Sequence, residues 1–146
     1  MTQQPVQVVV ALIERADRRI LIGQRRKTDT SPLKWEFPGG KVRNGEPLEA
    51  ALARELEEEL GAKLDACREI SNVRHQYAER PGELEIHFYA ARINGDAPVV
   101  PTVFEQIAWA LPRELGNYDF LAANLPLVAQ LATGRIRPAE FLADEL

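Results

Sequence analysis

The segment from Pro47 to Leu60 constrains this chain most, because its pattern suits one kind of secondary structure. Leu48, Ala51, Leu52, Leu56 and Leu60 recur at close to helical spacing and form one apolar stripe. Pro47 is tolerated in a first helical turn and Gly61 supplies a stop, so a helix over Pro47 to Leu60 is predicted. Glu55, Glu58 and Glu59 stand at i, i+3 and i+4, which places all three on one face beside the leucine stripe. Carboxylates held that close repel one another unless something positive sits among them. Hard oxygen donors in a cluster suit magnesium or manganese. The same three glutamates also fit a solvated acidic face, the commoner meaning of a charge run.

The rest of the chain supplies strands. Val6 to Ile13 is a β-rich run dense enough to be buried on both faces. A polar turn around Asp17 leads to a second strand at Ile20 to Gln24, and the two are expected to pair as a hairpin. A polar loop from Arg25 to Lys34 precedes a short extended piece, Trp35-Glu36-Phe37, since Pro38 disfavours helix at the residue before it. Further strands are expected at Glu69 to Tyr77, Leu84 to Ile93 and Gln106 to Leu111. In the second of these, Leu84, Ile86, Phe88 and Ala90 alternate with Glu85, His87 and Tyr89, which predicts one core face. A last helix is expected at Leu125 to Ala132, closed by Gly134. Strands mixed with two helices predict an α/β layer architecture. With 146 residues and no repeat, linker or low-complexity tract, one domain over 1–146 is expected.

Composition excludes several classes. The formal net charge of −4 argues against a protein that grips polymeric nucleic acid, which usually shows a basic face. A single cysteine, Cys67, excludes an intrachain disulfide and a cysteine-rich zinc site. His75 and His87 show no ligand spacing and read as strand residues. The longest apolar run, Val8 to Ile13, is too short to cross a bilayer, and no signal segment opens the chain. No membrane partner and a cytoplasmic location are therefore expected.

The frame around the three glutamates narrows their reading. Gly40 to Ala62, GKVRNGEPLEAALARELEEELGA, resembles the Nudix box, GX5EX7REUXEEXGU with U aliphatic. It matches at Gly40, Glu46, Arg54, Glu55, Leu56, Glu58, Glu59 and Gly61. Seven of those positions demand one residue type, so chance agreement per window is on the order of 10⁻⁹. The one departure is Ala62, smaller than the usual aliphatic, at a packing position. The order of strands, loop, WEFPGGK and box resembles the MutT-like branch of that family. The resemblance implies the Nudix fold, an α/β/α sandwich around a mixed β-sheet.

It also implies roles. Glu55, Glu58 and Glu59 would ligate Mg²⁺, with Mn²⁺ a possible substitute, and one of the last two would serve as base. Gly39 would offer its carbonyl to the metal, or act in turn geometry alone. Arg54 would orient a catalytic glutamate, and Glu46 would support the site while also favouring the helix N-terminus. Arg25 lines up with a phosphate-binding arginine, with Arg26 as its substitute, and Lys41 is a further phosphate candidate. Glu105 stands near a position where relatives carry another catalytic glutamate, although one alignment places Val103 there instead. Phe37 and Tyr77 would offer aromatic surface to a base, or simply pack in the core. Asn124 matches a base-reading asparagine, and an amide can donate and accept at once, but it stands equally well as a helix N-cap.

The implied activity is cleavage of a small nucleotide's diphosphate linkage, in a monomer or homodimer. The substrate expected is a (deoxy)nucleoside triphosphate such as 8-oxo-dGTP, giving monophosphate and pyrophosphate. A nucleotide sugar or ADP-ribose is the alternative, and a non-catalytic ligand sensor is disfavoured by the retained glutamates.

Overall fold

A computed structural model describes residues 4–76, 82–94 and 99–145. Seven strands and two α-helices follow in the order β1 Val6–Ile13, β2 Ile20–Gln24, β3 Trp35–Glu36, β4 Gly39–Lys41, α1 Leu48–Leu60, β5 Leu64–His75, β6 Leu84–Ile93, β7 Gln106–Ala110 and α2 Leu125–Ala132. Short 3-10 segments cover Pro112–Asn117, Ala122–Asn124 and Pro138–Glu145.

The strands form two sheets. A mixed four-stranded sheet runs β4-β1-β6-β5, and a three-stranded antiparallel sheet runs β3-β2-β7. In the mixed sheet β1 pairs antiparallel with β4 and parallel with β6. Both edges of β1 are thereby taken, which corrects the expected β1–β2 hairpin. Only a single bridge, Glu14 to Ile20, joins those neighbours, and β2 pairs with β3 and β7 instead.

Side-chain alternation along β1 builds two cores, one on each face. Val9, Ala11 and Ile13 pack with Ala51, Leu52, Leu56 and Leu60 of α1, together with Tyr89 and Ala91 of β6. Val10 and Leu12 turn the other way, toward Leu127, Val128 and Leu131 of α2 and the aromatics Trp35, Phe37 and Phe120. The result is helix, sheets, helix: the α/β/α arrangement of the Nudix fold. Leu52, Leu56 and Leu60 are fully buried, each contributing about 2 kcal/mol relative to exposure. That stripe fixes the roll of α1 and so the direction in which its glutamates point.

Two further expectations change. The central strand β6 is buried on both faces, because β1 and β5 flank it and a layer covers each side. His87 is correspondingly covered, and its ring bonds Gln7 and Glu69 at 2.6 and 2.5 Å. The strand expected from Glu69 begins earlier, at Leu64, and is interrupted by two register shifts that hid its period. The C-terminal segment docks on the domain: Leu142 is buried, the Phe141 carbonyl accepts from Arg68, and Ala139 N–H donates to Glu14. Among the described residues no helix is long and apolar enough to cross a membrane.

Candidate active site

α1 begins after Pro47, whose extended backbone (φ −62°, ψ 147°) turns the chain into the helix. Its end is a left-handed Gly61, φ 63°, whose N–H bonds the Glu57 carbonyl. Between these, Arg54 organises the acidic face. Its Nε and Nη2 donate to the two Glu46 oxygens at 2.8 and 2.9 Å, a bidentate pair. Nη1 reaches Glu55 at 2.9 Å and Glu58 at 3.2 Å, and Nη2 also donates to the Lys41 carbonyl at 3.0 Å. The guanidinium beside Glu46, helped by the Arg43 N–H, lowers that carboxyl to about 2. One arginine therefore holds three glutamates and the β4 backbone in place, while Glu46 anchors the arginine.

Glu59 lies outside this arginine's reach. Its Oε1 accepts the Gly39 N–H at 2.9 Å, and the carboxyl is raised to about 9 by burial, with Glu36, Glu55 and Glu58 adding repulsion. Gly39 and Gly40 are what let β4 come this close. A Cβ on Gly39, φ 154°, would lie 2.1 Å from the Val9 carbonyl oxygen, and one on Gly40 would lie 2.4 Å from the Glu55 carboxyl carbon.

Glu59, Gly39, Gly40 and Lys41 line a cavity of about 630 Å³. Arg25, Phe37 and Asn124 line it too, so residues expected from three separate stretches of sequence meet on one surface. Val8, Val10, Leu84, Ile86 and Leu121 make much of the wall apolar. Arg25 is held rather than loose: Nε donates to the Thr30 carbonyl at 2.7 Å, Nη2 to the Thr30 hydroxyl at 2.9 Å, and Nη1 pairs with Glu36 at 3.3 Å. Phe37 is buried against Phe120, ring centroids 5.2 Å apart. Asn124 occupies the N-cap position of α2 but makes no side-chain cap. Its Oδ1 instead accepts the Phe37 N–H at 3.3 Å, which leaves the amide NH₂ as its free donor group.

Other expected residues fall differently. Glu46, Arg54, Glu55 and Glu58 stand around the arginine hub and do not line the cavity. Glu105 is exposed and absent from the cavity wall, its N–H bonded to the Gln24 carbonyl; Val103 is exposed as well. Arg26 turns from the cavity to the Thr102 carbonyl, 2.8 Å away. Tyr77 lies outside the described residues.

Sequence reasoning missed Glu36 and Thr30. Glu36 lines the cavity beside Arg25, and burial raises its carboxyl to about 7 against the pull of that arginine. A lone acid inside the aromatic run WEF was the available signal. Thr30 sits in a polar loop with nothing to distinguish it.

The donor set near Glu59 consists of oxygens, carboxylates and backbone carbonyls, the chemistry a hard divalent cation prefers. A cation would also offset the cost of burying a charged Glu59 and the smaller repulsion from its neighbours. As the side chains stand, with Glu55 and Glu58 turned to Arg54, no three acidic, histidine or cysteine groups among the described residues converge on one point. Loading such a cation would require those two carboxylates to rotate.

Fold and site together define an α/β protein that presents an acidic helix to a cavity large enough for a nucleotide. Residues 4–131 match the NUDIX domain family, and the chain belongs to it: it is a Nudix hydrolase. The chain is 34% identical to the CTP pyrophosphohydrolase of Escherichia coli over 137 residues, covering 92% of this chain and 98% of that protein. It is 32% identical to the 8-oxo-dGTP diphosphatase of the same organism over 135 residues, covering 86% and 95%. Among solved structures, the MutT NUDIX hydrolase from Burkholderia pseudomallei superposes with a TM-score of 0.72 at 27% identity, covering 88% of this chain and 98% of that one. Nudix hydrolases act on small nucleotides and generally use divalent metal ions.

Proposed function

We propose that this enzyme is a Mg²⁺-dependent, MutT-like hydrolase of (deoxy)nucleoside triphosphates, releasing the monophosphate and pyrophosphate, with 8-oxo-dGTP a leading candidate substrate. One observation carries the reading: Glu59 and Gly39 from the acidic region share a cavity with Arg25, Phe37 and Asn124. Phosphates and base would then be held on one surface. The names of the two Escherichia coli relatives support a nucleoside triphosphate over a nucleotide sugar, and they differ from each other in the base.

Glu55, Glu58 and Glu59, with the Gly39 carbonyl, would hold the cation; Mn²⁺ would substitute. A bound divalent cation supplies charge neutralisation at the phosphates and polarises water and phosphorus. Glu58, the most solvent-accessible of the three at 48% side-chain exposure next to 13% for Glu55, takes the proton of the attacking water on its carboxylate. Arg54 orients Glu55 and Glu58, and Glu46 fixes Arg54. Arg25, pinned by Thr30 and Glu36, offers positive charge to the phosphate oxygens, with Lys41 at the cavity rim. Phe37 forms the base platform and the Asn124 NH₂ donates to an acceptor on the base edge. Glu105 has no part in this reading. The protein is a single Nudix domain acting in the cytoplasm.

Incubation with Mg²⁺ and a panel of dGTP, 8-oxo-dGTP, CTP, the other triphosphates, ADP-ribose and GDP-mannose, with products resolved by anion exchange, tests it. Highest kcat/KM on a triphosphate, with pyrophosphate as co-product, is expected. A preference for ADP-ribose or GDP-mannose overturns the substrate class, and cleavage of nothing with either metal overturns the enzyme reading.

A further inference from the structure

The last turn of an α-helix leaves four carbonyls without helical partners. In α1 this turn carries Glu58 and Glu59, and every one of its four carbonyls is bonded. Gly61 N–H takes Glu57, a normal helix-end bond. The other three partners come from one distant segment, 100–102, which lies between β6 and β7. Val100 N–H donates to the Leu60 carbonyl at 2.9 Å, and Thr102 N–H donates to the Glu59 carbonyl at 2.9 Å. The Thr102 hydroxyl donates to the Glu58 carbonyl and, at 3.0 Å, to the Glu59 carbonyl. Thr102 thus binds the backbone of the two glutamates that the proposed mechanism uses most.

Thr102 is itself held on its other side. Arg26 Nη2 donates to the Thr102 carbonyl at 2.8 Å. Arg26 adjoins Arg25, and its own backbone N–H donates to the Asp29 carboxylate at 2.9 Å. Two residues on, Phe104 is buried and packs over Gly23, where a Cβ would meet its ring at 2.6 Å. The segment is therefore anchored at both ends while Thr102 grips the helix.

Resting on the metal reading of the cluster, we propose that Thr102 is a positioning residue: its hydroxyl sets the carbonyl end of α1, and with it Glu58 and Glu59, for divalent-cation binding. Carboxylates near a helix C-terminus also face the unfavourable end of the helix dipole, and donors placed on those carbonyls reduce that opposition.

The test is Mn²⁺ affinity by titration calorimetry on the full chain without nucleotide, in wild type, T102V and T102S. Valine keeps the shape and the backbone N–H but removes the hydroxyl. T102V is expected to weaken Mn²⁺ by about tenfold, the low end for residues that orient metal ligands, with T102S close to wild type. Near-UV circular dichroism confirms that each variant folds. A folded T102V that binds Mn²⁺ within twofold of wild type overturns the positioning role alone. Failure of T102S to restore affinity also overturns it, because the hydroxyl would then not be the cause. Wild-type protein that binds no Mn²⁺ overturns the metal reading and this proposal together.

Discussion

The acidic face of α1 and the cavity wall beside it meet at Glu59, yet they solve opposite physical problems. At the acidic face, Glu46, Glu55 and Glu58 share the Arg54 guanidinium, and Glu59, beyond its reach, is pushed up to about 9, chiefly by burial. In the cavity, the apolar wall is packed, Arg25 is fully engaged, and the buried Asn124 amide has its acceptor satisfied. The helix face is electrostatically frustrated, whereas the cavity wall is satisfied except at Glu36, which burial raises to about 7. Frustration of this kind persists at functional sites, which agrees with the cation binding and proton transfer proposed for these glutamates. Substitutions in the frustrated region should therefore cost turnover and little stability, whereas those in the satisfied region should cost selectivity and stability together.

The largest effect that would sharpen this contrast is expected from Glu58→Gln. Removing the base should lower kcat by about 10²–10⁴-fold in a pyrophosphate-release assay, with the urea midpoint nearly unchanged. Turnover close to wild type would remove Glu58 from the mechanism. Asn124→Ala should act on the other side of the comparison. A loss of about ten- to a hundredfold in kcat/KM for the preferred purine triphosphate is expected, with nucleotide-sugar cleavage changed far less. The same variant orphans the Phe37 N–H and should cost about 1 kcal/mol of stability by urea titration. Equal losses on every nucleotide would dissolve the assignment of selectivity to the cavity.

The smallest effect concerns Glu46, the acid that Arg54 holds through two bonds. Its carboxyl is lowered to about 2 by Arg54, below the ordinary 4.5. The stability it contributes is present above about pH 4.5 and is lost as pH falls through about 2. Glu46→Gln should thus be less stable than wild type at neutral pH, with the two acid-unfolding curves converging near pH 2. Curves that stay parallel down to that pH would contradict the Arg54–Glu46 assignment.

How much of this was legible in the sequence follows from how far apart the cooperating residues lie. α1 and its glutamates were readable because the leucine stripe, the stop and the acids all belong to one continuous helix. Gly39 and Gly40 were flagged as permissive, but that β1 and the Glu55 carboxylate demand them depends on partners 15 to 30 positions away. The β1–β2 hairpin was misread because adjacency along the chain says nothing of edges already occupied by β4 and β6. That Asn124 makes no helix cap could not be read from local pattern, since its Oδ1 is taken by the Phe37 N–H, 87 residues away. Thr102 was invisible for the same reason: a threonine in a loop gains meaning only from the helix end it meets.

The most direct test of the frustrated region is the stability of wild type and Glu59→Gln, measured by urea unfolding from pH 6 to 9, in chelator and in Mg²⁺. Because burial raises Glu59 from 4.5 to about 9, the stability of its protonated form is fully present below about pH 4.5 and is lost progressively as pH rises to about 9. In chelator, wild type should weaken steadily toward pH 9 while the glutamine variant stays level and exceeds it by several kcal/mol, on the order of 1 kcal/mol per pH unit, at the alkaline end. Mg²⁺ should restore wild type and leave the variant largely unmoved. Two proteins that respond identically to pH and to Mg²⁺ would contradict the claim that a buried, charged Glu59 carries a cost that a cation relieves.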